Sequence, residues 1–138
     1  MRYKTLNTLV VAALVATLSS AVLGDEIKLS LSGANEVPPV QTEARGSGSI
    51  VVNPDMSVSG SFTTAGMAGM AAHIHQGALG ANGPVLITLT KSSDNGWAVP
   101  AGAKLTEAQY AAYKAGALYI NVHSAEHKPG EIRGQLTP

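Results

Sequence analysis

The chain has 138 residues, no cysteine, and nine basic side chains balanced by nine acidic ones, which fits one domain around one core. Thiolate zinc sites, iron–sulfur clusters and disulfides are excluded, and the absence of a basic surplus argues against nucleic acid or anionic lipid as a partner. Any metal site must therefore use nitrogen, oxygen or thioether ligands.

Residues 1–24 read as a secretory signal. Arg2 and Lys4 give a positive start, Leu9 to Ala16 form an unbroken apolar run extended through Leu18, and small residues follow at Ser19, Ser20, Ala21 and Gly24. The run is shorter than the roughly 20 residues of a membrane span. Cleavage after Ala21 fits the small-x-small pattern, and cleavage after Gly24 fits too; a retained N-terminal anchor is the alternative. Residues 25–138 would then be a single periplasmic or secreted domain with no membrane span. Without Arg2 and Lys4, seven basic side chains face nine acidic ones, a formal charge of −2.

The exported part is rich in Gly, Ser, Thr and Val and poor in helical periodicity, which predicts an all-β fold. Ile27, Leu29 and Leu31 alternate with Lys28, Ser30 and Ser32 as a first half-buried strand, and Asn35 to Gln41, with Pro38-Pro39, breaks it. Gly48, Ile50 and Val52 mark a second strand, and Val58, Gly60 and Phe62 a third. The turn Asn53-Pro54-Asp55 joins these two as a hairpin, with Ser57, Ser59, Ser61 and Thr63 on its wet side. Ala72 to His75 reads as a short strand, followed by a loop with Gly77, Gly80 and Asn82-Gly83 and then a segment from Pro84 to Leu89. Lys91 to Lys104 is expected to be a second loop, with the sole tryptophan, Trp97, as its plug.

Thr106 and Gln109 have capping-box spacing, so one short helix is predicted near 106–115, ended by Gly116. Leu118 to His123 and Glu131 to Leu136 complete the strands. In the first of these, Leu118, Ile120 and Val122 share the apolar face, leaving Tyr119, Asn121 and His123 on the other. Ala72 and Ile74 likewise put His73 and His75 opposite the core, so these histidines are expected outside it, beneath loops and within reach of solvent.

All four histidines fall in two clusters: His73-Ile74-His75, and His123 with His127. An i, i+2 pair on a strand points both imidazoles one way, and convergent imidazoles without thiolate suit Cu²⁺, Zn²⁺ or Ni²⁺, with copper leading the divalent affinity order. His73, His75, His123 and His127 are thus the candidate metal ligands, with copper expected and zinc as the alternative. A turn at Ser124-Ala125-Glu126 would bring His127 back, and Lys128-Pro129-Gly130 would hold it. Met67 and Met70 could donate to Cu(I), though as packing fillers they need no such role. Asp94 and Glu126 are candidate oxygen donors or ordinary loop charges, and Glu131 and Arg133 are expected to pair or face water.

The segments Leu31-Ser32-Gly33-Ala34-Asn35-Glu36-Val37-Pro38-Pro39-Val40, Ala72-His73-Ile74-His75, Tyr119-Ile120-Asn121-Val122-His123 and Gly130-Glu131-Ile132-Arg133-Gly134-Gln135-Leu136 resemble the CHRD domain family, named for its occurrence in chordin and also found as single exported bacterial domains. The resemblance implies a Greek-key β-sandwich or barrel, immunoglobulin-like or superoxide-dismutase-like. His73, His75 and His123 match its motif, whereas His127 rests on local spacing. The histidine pattern also partly resembles copper,zinc superoxide dismutase, in which an HxH strand pair and a distant histidine hold copper outside the barrel. This chain lacks that enzyme's second histidine-rich loop and its disulfide, so a two-metal dismutase is not expected.

Three functions remain open from sequence. The first is an exported protein with one mononuclear copper site, for binding, buffering or delivery, with a copper donor or acceptor protein as the partner such a role implies. The second is a copper-dependent oxidoreductase of the copper-only dismutase kind, which needs a coordination position left open. The third is a metal-free interaction module.

Overall fold

The computed structural model describes residues 19–138, and the positive start and apolar run expected of the signal lie outside them. Residues 19–24 have no regular structure, and Val22 and Leu23 are 77% and 86% exposed. Among the described residues no helix is long and apolar enough to cross a membrane.

Among the described residues nine antiparallel strands form one nearly closed sheet of barrel or sandwich shape, as the all-β reading expects. They are β1 (Asp25–Ser32), β2 (Arg45–Val52), β3 (Val58–Ala65), β4 (Gly69–Gln76), β5 (Val85–Thr88), β6 (Thr90–Lys91), β7 (Gly96–Ala98), β8 (Leu118–Ser124) and β9 (Ile132–Leu136). Their order across the sheet is β5-β4-β8-β9-β1-β2-β3-β7-β6. Alternation explains the placement: Ile27, Leu29 and Leu31 point inward from β1, and Ile74, Ile120 and Ile132 meet them from the other half. The β2–β3 hairpin pairs in full from Val52–Val58 to Arg45–Ala65, and Asn53 accepts from the Met56 amide at its turn.

The one α-helix among the described residues, α1 (Glu107–Lys114), starts as the capping box predicts. Thr106 Oγ1 accepts from the Gln109 amide at 3.2 Å, while Gln109 Oε1 accepts from the Thr106 amide at 2.9 Å. Gly116 ends it at φ +71°, a left-handed conformation that favours glycine. The helix docks by burying Tyr113, whose hydroxyl donates to Asp25 alongside Lys114.

One expectation fails. Lys91 to Lys104 is not a continuous loop, because β7 lies within it and pairs with β3, and Trp97 is a core strand residue at 2% exposure opposite Phe62. A three-residue strand is too short to show a period, so its apolar side chain alone carries the signal.

The face of β4 and β8 turned away from the core is covered rather than open. Three loops close over it: residues 36–40, 77–84 and 126–130. Tyr119 and Asn121 are consequently buried although they point out of the hydrophobic core.

Candidate metal centre

The pairing of β4 with β8 places the histidines. His73 stands opposite Asn121, His75 opposite Tyr119, and His123 opposite Ala71. With Ala72, Ile74, Ile120 and Val122 turned into the core, the three rings share the outer face. They converge: His73 Nδ1 lies 3.0 Å from His123 Nε2, and one ring nitrogen from each of the three falls within 4.8 Å of the others. Nitrogens bound at 2.0–2.1 Å to a common ion stand about 3.5 Å apart, so small ring rotations would bring these to bonding geometry.

Backbone carbonyls set the tautomers. His75 Nδ1 donates to the Gly83 carbonyl at 2.9 Å, and His123 Nδ1 donates to the Lys128 carbonyl at 2.7 Å. A carbonyl only accepts, so both rings carry their proton on Nδ1 and leave Nε2 bare. The His75 Nε2 is buried with no hydrogen-bond partner. The His123 Nε2 accepts from His73 Nδ1, so ligation through that His73 nitrogen would require the ring to carry its proton on Nε2 instead. Burial, reinforced by the neighbouring rings, holds His73 below the ordinary imidazole range. Burial does the same to His75, against the opposing pull of its bond to Gly83. Both shifts favour the neutral form that binds metals.

Behind the cluster is a stack. The His75 ring lies on Tyr119 with centroids 4.8 Å apart and planes 4° from parallel, and the Arg133 guanidinium covers the other face of Tyr119 at 3.4 Å. Arg133 is only 1% exposed. It donates to the Ala81 carbonyl at 2.8 Å, to Asn82 Oδ1 at 3.2 Å and to the Ala78 carbonyl at 3.4 Å, so it holds the loop whose Gly83 orients His75. The Gly83 amide donates back to the Tyr119 hydroxyl at 3.1 Å. A side chain at Gly83 would collide with the Gln76 carbonyl, which is why this close crossing needs glycine.

The other sequence candidates fare differently. His127 lies outside the three-ring cluster, although Ser124 and Gly130 form the expected turn around it. Glu126 and Asp94 do not join the cluster either. Met67 packs against the core, while Met70 is 68% exposed and fills no core gap. Glu131 and Arg133 neither pair nor face water: Glu131 is buried and accepts from the Thr42 hydroxyl at 2.7 Å, and Arg133 is committed to the loop. The expectation of a solvent-reachable cluster holds in part, since His73 and His123 are half-buried while His75 is buried.

Sequence reasoning passed over Tyr119, Gly83 and Glu36 as parts of this region. The phase of β8 already placed Tyr119 beside the histidines. Glu36, a carboxylate between a turn and two prolines, gave no periodic signal.

A family model described as the CHRD domain matches residues 27–136. No curated protein and no solved structure was found to match the chain.

Proposed function

The chain belongs to the CHRD domain family, and from that premise we propose that it is an exported module binding one copper ion through His73, His75 and His123. The observation that carries the reading is the convergence of three imidazoles, two with tautomers already set by backbone carbonyls and one of those two with a buried nitrogen that makes no hydrogen bond. Such a pre-oriented nitrogen set suits a borderline cation, and copper leads the affinity order with zinc as the alternative. Family membership and the signal-like N-terminus support a periplasmic or secreted location, where the module would bind, buffer or deliver copper. Bound copper would supply a one-electron couple and a Lewis acid; the protein's part is to present neutral rings and hold them by Gly83 and Lys128.

The test is titration of the untagged protein with Cu(II), Cu(I) and Zn(II), beside His73→Ala and His123→Ala. One equivalent of tightly bound copper, lost in both variants, supports the reading. Undiminished affinity in both variants overturns it and leaves the metal-free interaction module.

A second reading draws on the ligand count. Three clustered imidazoles, with His127 apart, leave a coordination position free for a small substrate, as a copper-dependent oxidoreductase requires. A superoxide assay on the copper-loaded protein separates catalysis from carriage.

A further inference from the structure

The 36–40 loop and the outer face of the sheet enclose a cavity of about 340 Å³, within the size range of small-molecule sites. Glu36 lines it and is 6% exposed, yet its Oε1 has no hydrogen-bond partner. Asn121, 3% exposed, lines the same space with its Oδ1 also unpartnered. Gly130 makes room for both, since a side chain there would collide with Glu36 Oε1. Its φ of +138° suits glycine for the same stretch of backbone.

Both unpartnered atoms are acceptors, and a buried acceptor without a donor is costly. The Arg133 field and the N–H groups of Asn121 and Val37 favour the charged Glu36 carboxyl. Arg133, however, gives three hydrogen bonds to the 77–84 loop and forms no salt bridge with Glu36, and Glu36 Oε1 stays without a hydrogen bond. The cavity thus offers a carboxylate and an amide oxygen, with an apolar wall from Val37, Pro38 and Val40. What complements that lining is a ligand with several N–H donors, a positive charge and a short hydrocarbon part.

We infer that this cavity binds a small primary ammonium compound, its N–H groups taken by Glu36 and Asn121 and its hydrocarbon part resting on Val37, Pro38 and Val40. The site adjoins the histidine cluster through His75 but uses none of the cluster's nitrogens, so the inference does not rest on copper binding. Glu126 and His127 also line the cavity, which makes ligand charge the decisive variable.

The experiment is an NMR titration of the ¹⁵N-labelled protein, with and without one equivalent of copper, using benzylamine, benzyl alcohol and benzoate. Benzylamine should give saturable shifts at the amides of Val37, Asn121 and Gly130, with benzyl alcohol at least tenfold weaker and benzoate inert. Glu36→Gln, which keeps the side-chain shape, should weaken benzylamine at least tenfold. Val40→Phe, which narrows the cavity from its apolar wall, should weaken it similarly, and the dispersion of each variant's spectrum reports folding. Absence of saturable shifts overturns the inference. So does undiminished benzylamine binding to folded Glu36→Gln, or benzyl alcohol or benzoate binding as tightly as the amine. Copper titration of the same samples reports separately on the metal reading.

Discussion

Arg133 illustrates how far a residue's role can depend on what covers it. On its strand it reads as an exposed partner of Glu131, because alternation places both away from the hydrophobic core. The covering loops change that, and the guanidinium becomes a buried donor to two carbonyls and an amide oxygen while lying on the Tyr119 ring. Replacing it with Met would leave those acceptors to water or to nothing and remove charged hydrogen bonds. We expect Arg133→Met to lower unfolding free energy by about 3 kcal/mol, measured by urea denaturation. The histidines were legible for the opposite reason: imidazoles at i, i+2 have a spacing that survives translation into geometry. Glu36 was not, because a lone carboxylate in a loop carries no period and its burial arises only from the fold.

The same rings give a pH dependence with a definite sign. His73 and His75 titrate below the unfolded imidazole value in the folded protein, so the folded state resists taking up protons that the unfolded chain accepts. Their contribution to stability is present above about pH 6.5 and is lost as pH falls through the depressed folded values. Glu36 acts in the other sense. Burial raises its carboxyl, so its contribution is present below the ordinary glutamate range and lost as pH rises through its folded value. Unfolding free energy measured without metal should therefore decline between pH 7 and 5 less steeply in His73→Gln than in the parent. An unchanged slope would place the ring in a solvated environment.

At the scale of elements, strands with clean alternation were readable and those without it were not. β1, β3 and β8 each show three apolar side chains at i, i+2, i+4 or that pattern with one glycine, and the structure buries the apolar side chains of those positions. β6 and β7, two and three residues long, are too short to show a period, and what fixes β7 is its pairing with the distant β3, which no local window contains. The helix was predictable because its start is chemical rather than periodic. Thr106→Ala removes the oxygen that caps Gln109, and we expect a loss of about 1 kcal/mol in urea denaturation. Since α1 also carries Tyr113 and Lys114 onto Asp25, loosening it should shift the β1 amide signals near that residue as well.

For the whole molecule, the near-closed sheet supplies rigidity and the three covering loops supply enclosure. The ligand nitrogens come from paired interior strands of the sheet, while the groups that orient them come from loops on top. Sequence showed the first half of that arrangement. The second half required knowing that residues 36–40, 77–84 and 126–130 meet over one face, a long-range fact carried by contacts such as Asn82 to the Val37 carbonyl at 2.9 Å.

The Gly83 carbonyl works as a clasp between the covering loop and the sheet. A cation seated on His75 Nε2 would make the opposite Nδ1–H a stronger donor and so tighten the clasp on the segment from Gly77 to Pro84. Thermodynamic reciprocity then requires that anything prising this segment open weakens cation affinity by the same factor. Backbone hydrogen exchange at Ala81 and Gly83 should slow on adding copper, and unchanged exchange would show that the clasp and the rings act independently. The protein's grip on its ion would thus be read most directly from amides that never touch it.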